Sequence, residues 1–129
     1  MKIVVTGNMG YVGPGVVRRL REAFPAATLV GYDLGYFAHC LTAPAMFPES
    51  LVDYQYFGDV RAFPEDILQG TDAVVHLAAI SNDPMGALFE DFTLAINYRA
   101  SVEIARKAKR AGVKSFVFAS SCSVYGLAD

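Results

Sequence analysis

Apolar residues recur along this chain in two rhythms. Short runs rich in β-formers occupy residues 3–5, 28–32, 52–57, 71–79 and 114–119. Between them, residues 16–24 and 88–111 place apolar side chains every three or four positions. Runs of the first kind predict strands buried on both faces of a parallel sheet, and segments of the second kind predict amphipathic helices. Strand and helix alternating with short connections imply right-handed crossovers and a doubly wound α/β domain. The expected strand order is 3-2-1-4-5, with ligands bound where the order reverses, between strands 1 and 4.

Within 88–111 one apolar stripe runs Ile96, Ala100, Ile104, Ala108, Ala111 and a second runs Leu94, Tyr98, Val102, Ala105. Two stripes predict contacts on two sides, the sheet and a second subunit. Arg99–Glu103 and Glu103–Lys107 are spaced to pair, Lys107, Lys109 and Arg110 suit the helix's negative end, and Gly112 is a stop. Pro64-Glu65-Asp66 opens a shorter helix that Gly70 closes. Residues 34–51 are different. Pro44 and Pro48 argue against a continuous helix, so an aromatic-rich crossover loop with one short helical turn is expected. That loop either covers a bound adenosine or packs on the domain's own surface, and His39 reads as a loop or core residue.

The first strand ends in Thr6-Gly7, and Gly10 and Gly13 follow at intervals of three before the helix begins. Gly7 can take a conformation closed to other residues, Gly10 lets a pyrophosphate approach the main chain, and Gly13 lets helix and strand pack closely. The helix start then offers N–H groups and a positive dipole end to phosphates. With 11 glycines in 129 residues, three alone are a weak signal. The pattern also needs an acid about 20 residues on, and Asp33 stands there at the end of the second strand. A carboxylate at that place accepts bonds from a ribose 2′-OH and repels a 2′-phosphate, which predicts NAD rather than NADP.

Further candidates sit at the other strand ends. Asp59, after the third strand, either contacts an adenine amine with Val60 against the ring or caps the turn that follows. Ala78 and Ala79, at the end of the fourth strand, would let a ligand lie against the backbone, while His76, in an apolar run, reads as a hydrogen-bonded core histidine. Ser81-Asn82-Asp83-Pro84-Met85-Gly86 is turn chemistry on the ligand side of the sheet. Ser120 and Ser121 follow the fifth strand, as substrate-facing hydroxyls or as a polar cap.

Composition narrows the class. Hydrophobic residues are 53% and charged residues 19%, which suits a sheet covered on both faces and one domain over residues 1–129. Net charge is −2 with the signs interspersed, so no basic face predicts a nucleic-acid partner. No apolar run reaches the roughly 18 residues of a membrane span, and the start leads into a strand without a signal-peptide pattern. Cys40 and Cys122 lie far apart and the two histidines give no ligand spacing. A cytoplasmic, metal-free protein is expected.

Taken together, Thr6-Gly7-x-x-Gly10-x-x-Gly13, Asp33, Asp59-Val60, His76-Leu77-Ala78-Ala79, Asn97 and Ser120-Ser121-x-Ser123-Val124-Tyr125-Gly126 resemble the extended short-chain dehydrogenase/reductase family, in particular its NAD-dependent epimerase/dehydratase branch. The resemblance covers the whole chain. It implies a Rossmann-type sheet and an NAD site in which Gly7, Gly10, Tyr11, Val12 and Gly13 form the pyrophosphate turn. By the same resemblance Asp33 holds the adenosine ribose, and Asp59 and Val60 meet the adenine. Leu77, Ala78 and Ala79 would run along the cofactor, Asn97 would brace the central helix, and Ser121 would hydrogen-bond the reacting hydroxyl or carbonyl. The implied partners are NAD and a nucleotide sugar or other small molecule, with homodimerisation through the helix of residues 88–111.

The family's catalytic tyrosine and lysine come as Tyr-x-x-x-Lys, and none of the seven tyrosines here has a lysine at that spacing. The family's last strands and its substrate-binding region are likewise not among these residues. The expectation is therefore the N-terminal, NAD-binding part of a nucleotide-sugar epimerase or dehydratase, inactive by itself. A non-catalytic NAD-binding module and a reductase of a non-sugar carbonyl remain the alternatives.

Overall fold

A computed structural model of the chain describes residues 1–37, 47–81 and 88–121. Strands β1 (Lys2–Thr6), β2 (Thr28–Asp33), β3 (Tyr54–Phe57), β4 (Ala73–His76) and β5 (Ser115–Phe118) form one sheet in the order β3-β2-β1-β4-β5. Every pairing is parallel, with Thr6 at the end of β1 flanked by Tyr32 of β2 and His76 of β4. The predicted order is the one found. The strand ends fall within three residues of the expected ones. Val52 and Asp53 precede β3, and the Asp53 carboxylate takes up Leu29 N–H at 2.7 Å and the Arg21 guanidinium at 2.8 Å. These bonds hold the Asp53 carboxyl below its ordinary pKa.

The pleat sends alternate residues of β1 to opposite faces. Ile3 and Val5 join Leu29, Ala27 and Val17 of helix α1 (Gly13–Ala23) in one buried cluster. Val4 joins Val30, Tyr32, Phe63, Leu68 and Val74 in a second, on the other face. There the sheet is covered by helix α2, a continuous run of an α-helical turn (Glu90–Thr93), a π-helical stretch (Leu94–Ala100) and an α-helical stretch (Ser101–Arg110). Short 3-10 turns occupy Pro48–Leu51, Val60–Ala62 and Glu65–Leu68. The last stands where a short helix was expected.

In α2 the predicted inner stripe is the buried one: Ala100, Ile104 and Ala108 enter the core and Ile96 packs against it. Ala111 is exposed, because the helix ends at Arg110. Leu94 and Tyr98 of the second stripe face outward. The expected charge pairs are not formed as read. Lys107 Nζ donates to the Phe63 carbonyl at 2.6 Å, and Glu103 pairs with Arg110 at 3.5 Å and more loosely with Arg106. A carbonyl left at the end of the 3-10 turn, invisible to helical spacing, draws the lysine away. The π-helical stretch was not foreseen either.

Candidate dinucleotide site

The residues singled out from the sequence lie around the carboxyl ends of the parallel strands. Gly7, just past β1, has φ +73°, and a Cβ there would come within 2.7 Å of Ala78 N. Its amide donates to the Tyr32 carbonyl at 2.9 Å. A Cβ on Gly13 would overlap the backbone of Gly7 and Asn8. These two glycines are demanded by the protein's own packing. Gly10 is not: among the described residues a Cβ there would meet only Gly7 O, at 3.4 Å, the near edge of ordinary contact. The backbone at Gly10 is open on its outer side.

The helix start beside it has the electrostatics for an anion. α1 begins without a side-chain cap and without an acidic residue in its first turn, so its own first turn carries no charge against the positive dipole end. Pro14 there fixes a helical φ where an N–H would have no intrahelical partner. Tyr11 and Val12, which complete the turn, are exposed. An uncapped helix start of this kind favours an anion.

Asp33 closes β2 within reach of this turn. Its carboxylate accepts from Met9 N at 3.0 Å and from Gly35 N at 2.7 Å. Beyond β3, Asp59 adopts the capping geometry. It accepts from Arg61 N–H at 2.9 Å and from the Arg61 guanidinium, whose hydrogen bond holds the Asp59 carboxyl below its ordinary pKa. Arg61 in turn lies 5.0 Å over the Phe92 ring. Val60 is buried below, and Tyr32 OH donates to the Asp59 carbonyl at 3.1 Å. Burial, with the Asp59 charge adding to it, raises the Tyr32 pKa.

Leu77, Ala78 and Ala79 leave β4 against the glycine turn, Leu77 N–H donating to Thr6 O at 3.0 Å. Asn97, in the π-helical stretch, grips the chain that follows. Its Oδ1 accepts from Ile80 N–H at 2.8 Å and its Nδ2 donates to Ile80 O at 2.7 Å. The π-turn shifts side-chain phase along α2 at this point, and such turns recur at functional sites. Ser120 and Ser121 are exposed beyond β5. The remaining motif residues Ser123, Val124, Tyr125 and Gly126 lie outside the described residues, as do His39, Cys40, Cys122 and residues 82–87.

His76 is a core residue, as expected. Its Nδ1 meets Thr6 Oγ1 at 2.6 Å and its Nε2 meets Ser101 Oγ at 2.8 Å. The ring also stacks on Phe118 at 5.9 Å. With both nitrogens engaged by neutral hydroxyls and water excluded, burial lowers its pKa to about 4.

Two contributors were not read from the sequence. Asn8 is fully buried, and its Nδ2 donates to Gln55 Oε1 of β3 at 2.7 Å. Ile80 supplies both backbone partners of Asn97. Neither link leaves a local signal, because the partners are far apart in the chain. Among the described residues no group of three or more His, Cys, Asp or Glu side chains could hold a metal, and no helix is long and apolar enough to cross a membrane.

Comparison with known proteins adds to this geometry. The family model described as "NAD dependent epimerase/dehydratase family" matches residues 3–129. UDP-arabinose 4-epimerase 1 of Arabidopsis thaliana is 27% identical over 98% of this chain and 32% of its own. A short-chain dehydrogenase/reductase superfamily protein of Agrobacterium tumefaciens with bound NAD superposes with a TM-score of 0.75 at 30% identity, covering 98% of this chain and 34% of that one. MoeE5 in complex with UDP-glucose and NAD gives a TM-score of 0.79 at 27% identity, covering 100% and 39%. The chain spans 32% to 42% of the length of the curated relatives it matches.

Proposed function

The chain belongs to the NAD-dependent epimerase/dehydratase family, and on that premise we propose that it is the NAD-binding part of an enzyme acting on a nucleotide sugar. The observation that carries the reading is Gly10. The protein's own packing does not need a glycine there, yet its open backbone lies in the turn before an uncapped helix start that the Asp33 carboxylate adjoins through Met9. A dinucleotide uses that combination, a diphosphate on the turn and a ribose on the acid.

In this reading Gly7, Gly10, Tyr11, Val12 and Gly13 receive the pyrophosphate and Asp33 accepts from the adenosine ribose. Asp59 and Val60 border the adenine, Leu77 to Ala79 line the path toward the nicotinamide, and Asn97 holds that path through Ile80. When bound, the nicotinamide supplies hydride exchange with a substrate carbon. Ser121, beyond β5, hydrogen-bonds the reacting hydroxyl or carbonyl and orients it. The general base, a tyrosine with a lysine four positions on, is not among these residues, so residues 1–129 by themselves bind without turning over. The outward stripe of Leu94 and Tyr98 is the surface through which two subunits would meet.

A second reading follows from the same missing pair: a module that binds NAD and catalyses nothing. Titration of NAD and NADP into the protein tests the first part, with NAD binding expected and NADP substantially weaker. No NAD binding, or equal affinity for both, sinks the assignment. Ser121→Ala separates the two readings when it is made in a natural chain that also carries the tyrosine and lysine. An enzyme loses turnover with its NAD affinity kept, whereas a binding module has no turnover to lose.

A further inference from the structure

The reading above leaves Gln55 without a role. It stands in β3 directly opposite Gly31 of β2, which in turn lies opposite Val5 of β1. Its side chain does not stop at the neighbouring strand. Oε1 accepts from Asn8 Nδ2 at 2.7 Å, while Nε2 donates to Tyr56 O at 3.0 Å and, at a longer 3.4 Å, to Asn8 Oδ1. The contact passes over Gly31, where any Cβ would overlap both amides. A β3 side chain thus reaches across β2 to the turn after β1, and the glycine at 31 is what allows it.

The turn is secured residue by residue. Gly7 is held through its amide by Tyr32 O, Met9 through its amide by Asp33, and Asn8, between them, by Gln55. Asn8 is the member whose side chain has no exposure to water, so its amide depends on protein partners. With the Gly7 and Met9 amides already bonded inside the protein, a ligand lying against the turn and the helix start gains most when that backbone is shaped before it arrives.

We propose that Gln55 is a positioning residue for the phosphate-binding turn, holding Gly7 to Gly10 through Asn8 in the shape that receives a nucleoside diphosphate. The proposal rests on the NAD reading of the same site and adds a residue that no motif assigns to it. It makes a selective demand. Loosening the turn weakens ligands that carry a diphosphate and spares the nucleoside alone, whereas a merely structural residue would affect both alike.

The test uses the full chain with NAD and ADP titrated by calorimetry, adenosine followed by chemical-shift changes at millimolar concentration, and thermal unfolding as a check on folding. Gln55→Met, which keeps length and loses the acceptor, is expected to weaken NAD and ADP about tenfold and adenosine less than about twofold. Asn8→Ala should do the same, and the double variant no worse than either single one, because both remove one interaction. Should Gln55→Met not fold, Gln55→Asn, whose amide falls one methylene short, takes its place with the same expected selectivity. Unchanged NAD and ADP binding, equal loss for all three ligands, or additive losses in the double variant overturn the proposal while the NAD reading stands. Failure of the unaltered chain to bind NAD removes both.

Discussion

The Met9 amide donates to the Asp33 carboxylate across 3.0 Å. The acid that ends β2 is therefore tied to the turn that follows β1, with its second oxygen held by Gly35 N–H at 2.7 Å. Its orientation is set by the chain itself before any ribose arrives.

Asp33→Asn keeps an acceptor for Met9 and removes the charge that opposes a 2′-phosphate. The preference for NAD over NADP is expected to fall by about tenfold, and because the amide leaves Gly35 N–H facing a donor, stability should fall by about 1–2 kcal/mol. Paired titrations of the two cofactors measure it, and an unchanged preference would place the discrimination elsewhere.

Gly13→Ala puts a methyl group into the backbone of Gly7 and Asn8, where no flexible side chain can give way. Overpacking of this kind costs roughly 1–3 kcal/mol. Because the displaced atoms belong to the glycine turn proposed to hold the cofactor, NAD affinity should fall along with the unfolding midpoint in urea. A stable variant with full affinity would contradict the packing described here.

Asn97→Leu removes both bonds to Ile80. The half-buried site lets water replace part of what is lost, so the expected cost is about 1–2 kcal/mol. Faster hydrogen exchange at the Ile80 amide, compared with the β4 amides, would localise the effect. Uniformly faster exchange throughout the sheet would instead indicate global destabilisation.

His76 gives the protein a pH dependence whose sign follows from its burial. Its folded pKa, about 4, lies below the ordinary 6.5. Between those values the unfolded chain binds a proton that the folded chain excludes. Stability from this group is complete above pH 6.5 and declines as pH falls toward 4, by about 3 kcal/mol in all. Asp53 and Asp59, with pKa values lowered below 3.8 by Arg21 and Arg61, titrate beneath this window. Urea unfolding at pH 7.5 and pH 5 should show the slope, and His76→Leu, less stable throughout, should lose it. A slope that persists in His76→Leu would belong to other groups.

Much of the architecture was legible in order along the chain. β-Formers in short runs, glycines at intervals of three and an acid closing the second run depend only on near neighbours and on backbone geometry. They determined the strands, their order, the glycine turn and the place of Asp33. What the chain order could not determine is which distant side chains meet. Asn8 and Gln55 are 47 residues apart and find each other only because Gly31 lies between them. Thr6, His76 and Ser101 form one buried hydrogen-bond chain because β4 lies beside β1 and α2 covers both. Lys107 left its helical partner for a carbonyl at Phe63, and Arg61 draws the Asp59 carboxylate into a cap. Periodicity is a property of consecutive residues, whereas a hydrogen bond in a crowded interior goes to whichever group the packing brings within about 3 Å, and only the assembled sheet decides that.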